Sequence, residues 1–199
     1  MRSLLPRFLA SSLAVLALAG CSTSGAGPSP FDTALATAPG TVDPAEAAAL
    51  ISRYRATKGL GPVTVDPTLT AIAAEHARRM AAANTMTHQL PGEPAFQRRL
   101  TDAGFIPQTA GENVAAGQKD LATVLEAWRK SPGHNANLLL PGATKIGIAV
   151  SVAPASKYKE FWSLEIGERY VPPPGGAIMG GPMGSMMIPS ATGATVEIN

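Results

Sequence analysis

Through most of this chain apolar residues recur three and four positions apart, and only toward the end do they alternate with polar ones. The helical spacing is clearest after Asp120, where Leu121, Val124, Leu125 and Trp128 share one face and predict an amphipathic helix turned toward a core. Asp120 is placed to cap it. Pro132 disfavours helical geometry at Ser131 and Gly133 permits a sharp turn, so this helix is expected to stop near Ser131 and present His134 just past its end. Two earlier helices open alike. Asp43-Pro44-Ala45-Glu46 leads to Leu50, Ile51 and Tyr54 and is ended by Gly59, and Asp66-Pro67 leads to Leu69, Ile72, Ala73, His76, Met80 and Ala83. An Asp cap followed by Pro in the first turn is a helix-opening signal, and Glu46 is placed to bond back to its cap. His76 keeps the spacing of its helix's core face and reads as a core or boundary histidine. A shorter helix over residues 94–103 would bury Phe96 and Leu100 and end at Gly104, with Phe105 and Ile106 returning to the core. Glu112 and Asn113 follow Gly111 in a stretch expected to be irregular.

The period then changes. KIGIAVSV at residues 145–152 and KYKEFWSLEI at residues 157–166 are rich in β-branched and aromatic residues with rough alternation, and they read as a hairpin turning at residues 153–156. Helices first and strands last predict an α+β fold whose sheet is covered by helices.

A length of 199 residues allows one ordinary domain, expected at residues 43–170, with tails on both sides. Residues 1–20 carry Arg2 and Arg7 and an apolar run from Phe8 to Ala19, too short for a comfortable membrane span but suited to an export signal. The run ends in Leu18-Ala19-Gly20-Cys21, which resembles a bacterial lipobox, in which Cys21 becomes the diacylated first residue. Cys21 is the chain's 1 cysteine, so its lipidation leaves a domain that stands without disulfides. Residues 22–42, rich in Ser, Thr, Gly, Ala and Pro, read as a flexible tether, and residues 171–199 as a loose Gly/Pro/Met-rich tail. Met179, Met183, Met186 and Met187 are thioethers of the kind Cu(I) accepts, but such tails acquire methionines without a metal. Loss of Arg2 and Arg7 makes the basic and acidic counts equal, which removes the footprint that nucleic-acid binding needs.

Several stretches together resemble the bacterial branch of the CAP superfamily, the group of cysteine-rich secretory proteins, antigen 5 and plant pathogenesis-related proteins. They are Tyr54-Arg55 on the first helix, Pro62 through Leu69, Met86-Thr87-His88, GENVA at 111–115, Trp128 on its helix, SPGHNANLL at 131–139 and IGIAV at 146–150. The resemblance implies a three-layer α-β-α sandwich with two histidines and two acids in a central cleft. The histidines correspond to His88 and His134 and the first acid to Glu112. The second acid of eukaryotic members falls where this chain has Ser131. Glu126 lies far from the core face of its helix and is expected to face solvent.

Two imidazoles and a carboxylate can hold a divalent metal such as Zn²⁺ with positions left for water, or can form a hydrogen-bonded cluster without one, and both readings stay open. Nucleophilic catalysis has less behind it, since no G-x-S-x-G elbow is present and Ser131 reads as a helix-terminal serine bonding to backbone. The expected function is an envelope lipoprotein, held to the membrane through Cys21, whose domain binds a lipid or other hydrophobic ligand, a glycan or an envelope protein. Its alternatives are a metal-assisted hydrolase of peptide or peptidoglycan-like substrates, with Glu112 as ligand or base, and a scaffold with a vestigial cleft. Ser22, in place of the Asp that retains lipoproteins at the inner membrane, points to the outer membrane, facing the periplasm, in a Gram-negative cell.

Overall fold

The computed structural model describes residues 28–35 and 38–172. The export segment, Cys21 and the tail methionines lie outside the described residues. Helices α1 (Pro44–Ala56), α2 (Pro67–Ala83), α3 (Phe96–Asp102), α4 (Leu121–Lys130) and α5 (Pro132–Leu138) accompany strands β1 (Thr64–Val65), β2 (Pro107–Ala116), β3 (Lys145–Ala153) and β4 (Lys159–Arg169). The aspartate caps work as the sequence indicates. Asp43 accepts from the Ala45 amide, Asp66 from Thr68 and Leu69, and Asp120 from Thr123. Glu46 does not bond back to its cap; its carboxylate accepts the Leu35 amide instead.

The sheet order is β1-β3-β4-β2, with β1 parallel to β3 and the other pairs antiparallel. Alternation sorts the side chains between two helical layers. Ile146, Ile148, Trp162, Leu164 and Ile166 join Leu50, Ile51, Tyr54, Leu121, Val124, Leu125, Trp128 and Leu138 in the main core, beneath α1, α4 and α5. On the other face Phe161 and Val114 pack with Met80 and Leu90, while Leu69, Ile72, Leu100 and Phe105 form a cluster joining α2 to α3. The result is the expected α+β arrangement in three layers. α2 presses so close to β3 that a Cβ on Gly147 would lie 2.1 Å from the backbone of Leu69 and Thr70. Among the described residues no helix is long and apolar enough to cross a membrane.

Four local expectations are corrected. Residues 111–113 are not irregular but sit inside β2; Gly, Ala and Asn give little strand signal, and the ladder to β4 supplies what propensity does not. α4 stops before Ser131 as expected, but no sharp turn follows at Gly133: Ser131 is extended for one residue and Pro132 starts α5, placing His134 in that helix's first turn. Ile106 is 48% exposed and only Phe105 returns to the core. Lastly, part of the stretch expected as tether is packed. Phe31 is fully buried edge-on to Tyr54, with ring centroids 5.5 Å apart, and Ser29 donates to Glu126 at 2.7 Å. One aromatic in a run of small residues is enough to dock it. Glu126 is accordingly not free in solvent: Arg129, Lys130 and Ser29 hold it, and the Arg129 hydrogen bond above all brings its pKa down to about 2.

Candidate functional site

β2 forms one edge of the sheet, and its alternation sends Glu112 toward α2 and α3 and Asn113 toward α5. Each layer therefore contributes one histidine at this edge. His88 comes from the segment after α2, which Asn84 ends in a left-handed conformation (φ 49°). Its Nδ1 lies 2.8 Å from Glu112 Oε1, and its side chain is 43% exposed. His134 comes from α5, which is tied to the strand through asparagines. Asn113 donates to the His134 carbonyl at 3.0 Å, and Asn137 donates to the Glu112 carbonyl and to Asn113 Oδ1, both at 2.9 Å. Tyr54 donates its hydroxyl to Asn135 Oδ1 at 2.9 Å. Gly111 allows this approach, since a Cβ there would stand 2.6 Å from Asn137 Oδ1. Arg55 braces the same region from below: its buried guanidinium donates to the carbonyls of Leu138, Leu140, Ala143 and Gly61.

The His134 imidazole is half-buried, and desolvation first, then the nearby His88, lowers its pKa, so it is neutral at neutral pH. Its ring makes no hydrogen bond among the described residues. Ser131 precedes it as the cap of α5, yet the hydroxyl makes no capping bond, contrary to the backbone role expected.

Behind Glu112 lies a buried polar cluster that the sequence did not announce. Arg99 Nη2 donates to Glu112 Oε2 at 2.5 Å. His76 Nδ1 meets Glu93 Oε1 at 2.8 Å and its Nε2 meets the Thr87 carbonyl at 2.9 Å, with Glu112 Oε2 4.0 Å away. His76 is a core histidine, as its spacing indicates, but one wired to the site. Burial works against the Glu93 carboxylate, but the Leu90 amide, His76 and Arg99 overcome it and lower its pKa. Glu165 on β4 stands opposite Glu112 in the ladder, fully buried, and burial together with the Glu112 charge raises its pKa well above the carboxylate range. A signal for Arg99 did exist: it follows Phe96 by three and precedes Leu100, which puts it on the inward face of α3.

Both oxygens of Glu112 are engaged, and among the described residues no three His, Cys, Asp or Glu side chains are grouped to hold a metal ion. His88, Glu112 and His134 thus do not fit a three-donor metal cage as they stand. A concavity of about 390 Å³ between α2 and α3 and another of about 440 Å³ along α4 are lined by neither of the two cleft histidines.

Residues 48–166 match the model of the cysteine-rich secretory protein family, CAP. The chain belongs to that family. Over 99 residues it is 36% identical to the uncharacterized protein YkwD of Bacillus subtilis, a match covering 50% of this chain and 38% of the relative. A crystal structure of an extracellular protein containing an SCP domain, from Bacillus anthracis, superposes with a TM-score of 0.55 at 26% identity, covering 62% of this chain and 39% of that one. An outer surface protein of Borrelia burgdorferi shares the fold at 24% identity and a TM-score of 0.57, covering 65% of this chain and 97% of that one. The chain thus spans well under half of the YkwD and Bacillus anthracis proteins.

Proposed function

We propose that this chain is an exported envelope lipoprotein whose CAP domain binds a partner in the cleft along the β2 edge, without turning it over. The commitment of Glu112 carries this reading. One oxygen holds His88 and the other meets Arg99, so the carboxylate that a hydrolase would use as base or ligand is occupied in positioning. What the cleft offers is a partly exposed imidazole on a fixed carboxylate and a neutral imidazole beside it. Such a surface exchanges hydrogen bonds with a glycan, a lipid headgroup or the backbone of an envelope protein. Export is supported by the sequence of residues 1–21 and by likeness to proteins described as extracellular or outer-surface.

One observation favours the metal-assisted hydrolase as a second reading: each cleft histidine keeps a ring nitrogen without a hydrogen-bond partner among the described residues, and two imidazoles can begin a divalent site. Calorimetric titration with Zn²⁺, at pH 7.5 and 5.5, separates the two. The soluble chain should start at Pro28 so that Phe31 keeps its place. Weak binding that fades at the lower pH, as imidazoles protonate, is the expected result. Tight binding lost alike in His88→Ala and His134→Ala, with chelator-sensitive hydrolysis, would replace the binding module by the hydrolase. The anchor has its own test. Cys21→Ser should abolish incorporation of a fatty-acid probe, and equal labelling of variant and wild type would remove the lipoprotein assignment.

A further inference from the structure

Glu165 is a fully buried carboxyl that the proposed binding reaction does not use. The register pairs it with Glu112 across β2 and β4, so both side chains stand on the same face of the sheet. Ser163 donates to its Oε1 at 2.9 Å, Arg99 Nη1 lies 4.0 Å away, and its Oε2 is buried without a hydrogen-bond partner among the described residues.

A charge count of the groups around it gives that orphan oxygen a meaning. From α2, His76 gives a hydrogen from Nε2 to the Thr87 carbonyl, so its short contact with Glu93 is made by a second proton held between Nδ1 and Oε1. Whichever atom carries that proton, His76 and Glu93 together are neutral. From α3, Arg99 supplies one positive charge. From β2 and β4, Glu112 and Glu165 would supply two negative charges, and the salt bridge is made with Glu112. His88 meets Glu112 from the solvent rim, 43% exposed, and not from this dry layer, so a second bare carboxylate here would have no partner of its own, which the interior does not tolerate. Two carboxylate oxygens also repel unless a hydrogen lies between them.

We propose that Glu165 is the second acid of the site, a proton-bearing carboxyl that donates its hydrogen to Glu112 and so fixes Glu112 as the acceptor for His88. The acid absent at Ser131 is thus replaced from another strand, on the inner side of Glu112 rather than in the cleft. Glu165 is a positioning residue, and the assignment is independent of whether the cleft binds a partner or a metal. Burial and the neighbouring Glu112 raise the carboxyl in the direction this requires.

The sign of the pH dependence makes the test sharp. A carboxyl whose pKa is raised on folding contributes stability that is fully present below the unfolded value, about 4.3, and is lost as pH rises toward the folded one. Gln carries a permanent donor in the same shape. Melting of the full chain and of Glu165→Gln from pH 4.5 to 8 should therefore show near-equal midpoints in acid and an advantage for Gln that grows to several degrees at pH 8. A difference that is flat, or that turns against Gln as pH rises, would overturn the proposal. Should the Gln variant fail to fold, the Glu165 carboxyl carbon of the wild type decides by NMR. Its shift should leave the protonated position only at pH well above the ordinary glutamate range, and a midpoint near the ordinary glutamate value would refute the assignment. Positioning has a separate readout in the His88 ring nitrogens. The Nδ1–H tautomer should persist in Glu165→Gln and give way to a mixture in Glu165→Leu, which has no hydrogen to donate. Identical ring shifts in the Leu variant and the wild type would show that Glu165 positions nothing.

Discussion

Replacing Trp128 by Ala should lower the stability of the domain by roughly 3–5 kcal/mol, the range for deleting a large core aromatic. Trp128 is 1% exposed on α4 and packs in the main core beneath α1, α4 and α5. Its indole also donates to the Val114 carbonyl at 3.2 Å, one residue beyond Asn113, so the same side chain fastens α4 to the strand that carries the site. The substitution leaves a cavity and an unpaired carbonyl together. For a domain of this size the melting midpoint should fall by about 10 °C or more. Trp128→Phe separates the two contributions: it keeps most of the volume and loses the donor, and should cost about 1–2 kcal/mol. A Trp128→Ala midpoint within a degree or two of the wild type would show that the ring is not part of the core.

That prediction could be made from the sequence because Trp128 belongs to a periodic run with a capping aspartate, and such runs carry their own local instructions. The same holds for Asp43-Pro44, for Asp66-Pro67 and for the β-branched hairpin. β2 is different. Pro107–Ala116 contains two alanines after Val114, a glycine and an asparagine, and becomes a strand because β4 offers a full ladder and two helical layers cover it. Its identity is tertiary, and no local period could show it. α5 was hidden for another reason: Ser131 and Pro132 look like a stop, but the same pair also restarts a helix, with Pro in its first turn. Phe31 stood alone in a polar stretch and had no period at all.

The site divides along the same line. His88 and Glu112 were identified by motif resemblance and are in direct contact, whereas their supports Glu93, Arg99 and Glu165 were missed. Alternation in FWSLEI places Glu165 opposite Leu164, which normally means solvent. Here both faces of β4 are covered, so the outward position is a second interior. Arg99 sits beside Arg98 in the sequence, yet Arg98 reaches solvent at 72% side-chain exposure and Arg99 only at 9%. One step around α3 separates a surface charge from the central cation of the site.

That step makes Arg99 the other position of large expected effect. Arg99→Leu should destabilise the domain by about 3–5 kcal/mol at neutral pH, the cost of leaving buried charge without its partner. The guanidinium bonds Glu112, lies 4.0 Å from both Glu93 and Glu165, and stacks over the Phe96 ring at 5.6 Å. Leu retains apolar contact with Phe96, so the loss is electrostatic rather than steric. Without the cation, Glu112 must fold either charged and uncompensated or with a proton, whereas Glu93 keeps its pairing with His76. A buried carboxylate without a partner costs more the more fully it is ionised, so the cost rises with pH. The deficit of Arg99→Leu should therefore be smallest near pH 5 and grow toward pH 8, as measured by urea unfolding at both ends. Adding Glu112→Gln removes the carboxylate that Arg99 serves most directly. The double variant should be more stable at pH 7.5 than Arg99→Leu alone, a coupling of at least about 1 kcal/mol for residues in contact. Strict additivity of the two substitutions, or a deficit independent of pH, would mean that Arg99 holds the fold by packing and that the cluster behind His88 is not organised by its charge.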